Sequence, residues 1–117
     1  MESNTYLLTP VKTEEDFKNC LTKNPYVIVK ASAVWCKPCE KIEQPVNELF
    51  RNRLEHNVKV MYLDIDDSED VANYLDVTRI PCFYTFVNGK LNHKEITSNM
   101  KNIGAIVDKV NSHSILG

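Results

Sequence analysis

V-W-C-K-P-C-E, Val34 to Glu40, lies between two segments of contrasting pattern. It holds two cysteines two residues apart, with a proline between them. Such a pair can hold a metal, staple a loop or pass electrons. The flanks narrow the choice. Y-V-I-V, Tyr26 to Val29, is apolar on both sides and rich in β-branched residues. That pattern predicts a strand buried on both faces. After Cys39, apolar residues recur at Ile42, Val46, Leu49 and Phe50, which predicts a helix. The pair therefore sits where a buried strand hands over to a helix.

A helix N-terminus stabilises an anion through its free amides and its dipole. Cys36 is placed to receive that effect, which raises the fraction of reactive thiolate. Cys39, one turn further in, is positioned to resolve a mixed disulfide by attacking Cys36. Pro38 falls in the first helical turn, where proline is tolerated. Lys37 adds a positive charge between the cysteines. It either favours the thiolate or is a solvated loop residue, and the sequence leaves both open.

The other elements alternate along the chain. Residues 5–8 fit a short first strand. T-E-E-D, Thr13 to Asp16, resembles a capping box with Asp in place of Glu, and opens a helix whose apolar face is Phe17, Cys20 and Leu21. Pro45 removes a backbone donor and is expected to interrupt and kink the helix that follows the cysteines. Val58 to Ile65 reads as a largely buried strand. The acidic run Asp66 to Asp70 then sets negative charge at the start of a short helix. Cys82 to Val87 is a strand, and Asn88-Gly89 is a strong hairpin signal. Lys90 to Thr97 is polar and suits a sheet edge. Ile103, Ile106, Val107 and Val110 mark a last helix. The order β-α-β-α-β-α-β-β-α implies an α/β fold. Its mixed sheet has four to five strands, about four helices flank it, and it ends in an antiparallel hairpin.

The 117 residues suit one domain spanning 1–117. Hydrophobic residues make up 43% and charged residues 26%, enough for one core in a soluble protein. With a net charge of -2 and no basic run, nothing calls for nucleic acid. No apolar run reaches the length of a signal peptide or a membrane span. A cytoplasmic, monomeric protein is the expectation. In a reducing compartment, a Cys-x-x-Cys is more often catalytic or metal-binding than structural.

W-C-K-P-C after V-I-V, joined to I-P-C at Ile80 to Cys82 and F-V-N-G at Phe86 to Gly89, resembles the thioredoxin family. The likeness runs from about Tyr6 to Val110. It implies a thioredoxin fold and a protein disulfide oxidoreductase that takes part in electron transport without a cofactor. Cys36 would be the nucleophile and Cys39 the resolving thiol, with Trp35 packed beside them. Pro81 would be a cis-proline facing the disulfide, and the backbone of Ile80 would pair with substrate. Lys37 and Pro38 complete the motif. The implied partners are disulfide-containing proteins and a reductase or glutathione system as electron donor.

The chain departs from that family in four places. Lys30 stands where a buried aspartate is usual. The favoured expectation is that it snorkels to solvent from the core edge. Buried instead, its amine would have a lowered pKa and act as base or cation beside Cys39. Cys82 replaces a threonine after the proline. It is expected to be a small, partly buried apolar residue, with a third thiol near the pair as the alternative. Ser98-Asn99 lacks a glycine that commonly helps form the substrate groove. Pro45 falls one residue later than usual. Cys20, on the apolar face of the first helix, is expected to be packing.

Two other functions compete with disulfide exchange. One is a metal or iron–sulfur module using Cys36, Cys39 and Cys82, with His56, His93 or His113 completing the set. The other is an interaction module that keeps the fold without the chemistry. The favoured expectation assigns no metal ligands.

Overall fold

The computed structural model describes residues 5–7 and 11–116. Its elements follow the predicted order. They are β1 (Thr5–Leu7), α1 (Glu14–Lys23), β2 (Tyr26–Ser32), α2 (Lys37–Arg53), β3 (Val58–Asp64), α3 (Glu69–Tyr74), β4 (Cys82–Val87), β5 (Lys90–Ile96) and α4 (Met100–Leu116). Leu8, the last residue of the expected first strand, lies outside the described residues, as does the N-terminal stretch 1–4.

The five strands form one sheet in the order β1-β3-β2-β4-β5. β1, β3 and β2 run parallel, β4 is antiparallel to β2, and β5 is antiparallel to β4. β2 lies at the centre. Val27, Ile28 and Val29 are each 0% exposed, as a strand covered on both faces requires. Alternation along β2 sends Val27, Val29 and Ala31 to one face, where Phe17, Cys20 and Leu21 of α1 and Val71 of α3 meet them. Tyr26 and Ile28 go to the other face, under Ile42, Val46 and Phe50 of α2 and Ile103, Ile106, Val107 and Val110 of α4. The helical periodicities read in the sequence are these two covering layers.

Local chemistry fixes the element ends. Thr13 Oγ1 accepts the Asp16 N–H at 3.1 Å, so the threonine does cap α1. Ser68 stands at the N-cap of α3, and Glu69 and Asp70 occupy its first turn, where the dipole favours acid. Asp70 Oδ2 also accepts the Glu14 N–H at 2.8 Å, tying the starts of α1 and α3 together. Asn88 and Gly89 have φ of 52° and 80°, the left-handed backbone a two-residue hairpin turn needs. Among the described residues β5 pairs only with β4, so it is the polar edge strand its composition predicts.

One expectation about α2 is corrected. Pro45 lies inside the helix and does not interrupt it: α2 runs unbroken from Lys37 to Arg53. The apolar face on either side, Ile42, Val46 and Phe50, is buried against the sheet. That burial outweighs the one backbone hydrogen bond a proline removes. Arg53 and Asp108 pair across to α4, and Asn111 both donates to the Arg53 carbonyl and accepts from the Glu55 N–H. These contacts clamp the far end of α2, so that its N-terminus is held over the end of β2.

Candidate active site

β2 ends at Ser32, and four residues later Cys36 becomes the N-cap of α2. Its backbone is extended, and its sulfur accepts the Cys39 N–H at 3.2 Å. The cysteine thus does the work of a capping Ser or Asp, with sulfur as the acceptor. A negative sulfur would strengthen that bond and meet the positive end of a 17-residue helix. Pro38 sits at the start of α2, where its missing N–H costs nothing.

Cys36 and Cys39 form a disulfide, with Cα atoms 5.3 Å apart. Both residues are 4% exposed and pack with Ala33, Ile65 and Ile80. Beside them Val34 is 90% exposed and Trp35 64% exposed, an apolar rim around a shielded sulfur pair. The indole is not loose: Trp35 Nε1 donates to Asp66 Oδ2 at 2.8 Å. Asp66 is itself set by the turn after β3, where Asp64 Oδ1 accepts its N–H at 2.9 Å. No sequence signal pointed to Asp66 as a partner of Trp35, because the pair forms only when β2 and β3 lie side by side.

The Ile80–Pro81 peptide bond is cis. Ile80 joins the cluster around the cysteines, and the Pro81 carbonyl accepts the Thr97 N–H at 3.2 Å. The Ser98-Asn99 loop that lacks glycine is closed by side chains instead. Thr97 Oγ1 accepts from the Asn99 N–H, and Asn99 Oδ1 accepts from the Asn102 N–H to begin α4. Lys37 is 86% exposed at its side chain and lies 3.9 Å from Glu40. A pair that exposed is weak.

Lys30 corrects a sequence expectation. It does not snorkel: the residue is 3% exposed. β3 and β4 flank it through Tyr62 and Phe83, and the helical layer covers its face. Its Nζ stands 5.6 Å from the Tyr62 ring centroid. Burial pushes the amine below its usual pKa, and Glu43 of α2 pulls the other way. Burial likewise holds the Tyr62 phenol above its usual value, and its hydroxyl donates to Asn47 Oδ1 at 2.6 Å.

Cys82 is 0% exposed, more deeply buried than the partial burial expected, and opens β4. It packs with Val29, Ala31 and Tyr84 in the layer beneath α1 and α3, whereas the cluster around the pair is Ala33, Cys36 and Cys39. Burial raises its thiol pKa, so it is a poor nucleophile and metal ligand. Cys20, 8% exposed, packs in the same layer, as its position on α1 implied. Among the described residues, no three His, Cys, Asp or Glu side chains are grouped to hold a metal. Among them too, no helix is long and apolar enough to cross a membrane.

The comparisons with known proteins agree with this geometry. The family model described as Thioredoxin matches residues 8–112. Thioredoxin-1 of Saccharomyces cerevisiae is 31% identical over 93 residues, covering 80% of this chain and 88% of the relative. The thioredoxin of Ictalurus punctatus is 34% identical over a shorter 64 residues, 55% of this chain and 60% of that protein. Among solved structures, oxidised mitochondrial thioredoxin 3 of Saccharomyces cerevisiae superimposes with a TM-score of 0.76 at 24% identity, covering 85% of this chain and 92% of that one. The chain belongs to the thioredoxin family and is a thiol–disulfide oxidoreductase.

Proposed function

We propose that the chain reduces protein disulfides, with Cys36 as the attacking thiolate and Cys39 as the resolving thiol. One observation carries the assignment: the Cys36 sulfur caps α2 by accepting the Cys39 N–H, which favours negative charge on Cys36. In the reduced protein the Cys36 thiolate attacks one sulfur of a substrate disulfide. A Cys36–substrate bond forms, and the other substrate sulfur leaves as a thiolate and takes a proton from water. Cys39 then gives up its proton and attacks Cys36. The disulfide closes, and the second substrate sulfur leaves. The substrate gains two electrons and the protein loses two. A dithiol donor, from a reductase or glutathione system, returns them.

Val34 and Trp35 form an exposed apolar surface beside the pair, with Ile80 packed against the cysteines beneath. Such a surface suits the backbone and apolar side chains of a protein substrate. Pro81 and the backbone of Ile80 complete it in this reading, and Lys37 and Pro38 shape the motif. The working unit is a monomer of one domain. The reducing direction fits a cytoplasmic setting, although one structural neighbour bears the name of a mitochondrial protein.

The test is Cys39→Ser exposed to a mixture of disulfide-bonded proteins. Mixed disulfides should accumulate on Cys36 and be released by dithiothreitol. If none accumulate, the assignment of attack and resolution is wrong.

A further inference from the structure

Lys30 is the one charged side chain among the buried described residues, and the exchange steps above make no use of it. It points to the same face of β2 as Tyr26 and Ile28, the face covered by α2 and α4. It stands closer than either to the end of β2 from which the chain enters the cysteine loop. From α2, Glu43 acts on it electrostatically, and Cys39 lies one helical turn before Glu43 on the same side of that helix. The amine is therefore held under the N-terminal turns of α2, which also hold the cysteines.

The other groups facing it are few. β3 brings Tyr62, whose ring lies near the amine and whose own titration responds to Glu43 and Arg51. β4 brings the apolar Phe83. The buried residues of α4 are Ile103, Ile106, Val107, Val110 and Ser114, none of them charged. Among the described carboxylates, none lies within ion-pair distance of Lys30. In the oxidised protein the buried cation is therefore compensated only in part, by Glu43 beyond ion-pair distance and by the Tyr62 ring.

We propose that Lys30 is a positioning residue for the exchange, whose buried amine supplies the counter-charge for the thiolate that appears when the disulfide opens. When a dithiol donor delivers two electrons, the Cys36–Cys39 bond breaks and the donor closes to a disulfide. One cysteine sulfur takes a proton and the other stays a thiolate. That thiolate adds a negative charge near the Lys30 cation that the oxidised state does not have. The reduced form gains relative to the oxidised form, so the couple becomes more oxidising. By linkage the same interaction strengthens proton binding at Lys30 and weakens it at the thiol.

This inference rests on Cys36 and Cys39 being the working couple, and the test separates the two ideas. The Cys36/Cys39 equilibrium is measured against glutathione in wild type, in Lys30→Met and in Lys30→Gln. Methionine has similar volume and no charge. A buried ion replaced by an apolar group of its size usually leaves a fold intact. Both variants should shift the equilibrium toward the disulfide by about tenfold, which is about 30 mV for a two-electron couple. The pH midpoint of thiolate absorbance should rise with it. Denaturant unfolding of each redox form should show Lys30→Met favouring the oxidised form over the reduced form by the same factor. An unchanged equilibrium in both variants, or equal stability changes in the two redox forms, would make Lys30 a purely structural residue and overturn the proposal. A wild-type pair that does not cycle with glutathione at all would remove the couple itself, and Lys30's role with it.

Discussion

Trp35 is the only tryptophan in the chain, and it adjoins Cys36. Its fluorescence therefore reports on the active site alone. The indole is 64% exposed, and among the described residues the polar contact that holds it is the 2.8 Å bond from Nε1 to Asp66. Asp66→Ala removes that acceptor. An exposed hydrogen bond to a carboxylate is worth about 1 kcal/mol net, which is about fivefold in the ratio of docked to undocked indole. Asp66→Asn keeps an acceptor oxygen without the charge, so its effect should be about half as large on the same scale. Fluorescence anisotropy should fall and acrylamide quenching should rise in the order wild type, Asp66→Asn, Asp66→Ala. Disulfide reduction should slow by no more than about fivefold, because the sulfur pair and the α2 terminus are untouched. Anisotropy and quenching identical in all three proteins would refute the idea that Asp66 pins the active-site tryptophan.

Two further outcomes follow from the packing and from the buried hydroxyl groups. Ile103 is 0% exposed where α4 meets the sheet, so Ile103→Ala should lower unfolding stability by about 2–5 kcal/mol in denaturant titration, with the sulfur chemistry kept in the folded fraction. Alkali should also destabilise the fold. Burial holds Cys82, Tyr62 and Tyr84 above their free-group values of 9.0, 10.0 and 10.0, so the native chain keeps protons that the unfolded chain releases. Their contribution is complete below those values and is lost as pH rises past them. Lys30 works the other way, since its amine is depressed from 10.5 and the unfolded chain binds the extra proton. Tyr84→Phe should therefore be read as a difference from wild type. It should cost about 1 kcal/mol at neutral pH, by orphaning the Leu75 carbonyl that Tyr84 bonds at 3.2 Å, and should flatten the decline above pH 10.

The element order was legible because each element declares itself locally. Tyr26 to Val29 shows strand chemistry within four residues, Asn88-Gly89 a turn within two, and Ile103 to Val110 a helical stripe within eight. The cysteine pair was legible for the same reason, since strand, motif and helix are contiguous. What needed the structure depends on strands distant in sequence. Lys30 looked like an edge residue until β3 and β4 closed on either side of it. Cys82 follows Pro81 directly, yet strand alternation turns it to the face with Tyr84 and Phe86. Asp66 lies 31 residues from Trp35 in a run of acids, any of which the sequence allowed. Pro45 was read as a break because local rules weigh the lost donor and cannot weigh the buried face of α2.

In the proposed reading the Cys36–Cys39 pair at the head of α2 carries electrons to protein disulfides. The most direct measurement is insulin disulfide reduction with dithiothreitol as donor, followed in wild type and in Cys36→Ser. The expected result is marked acceleration by wild type and a return to the uncatalysed rate in the variant. Acceleration that survives the loss of Cys36 would contradict the account.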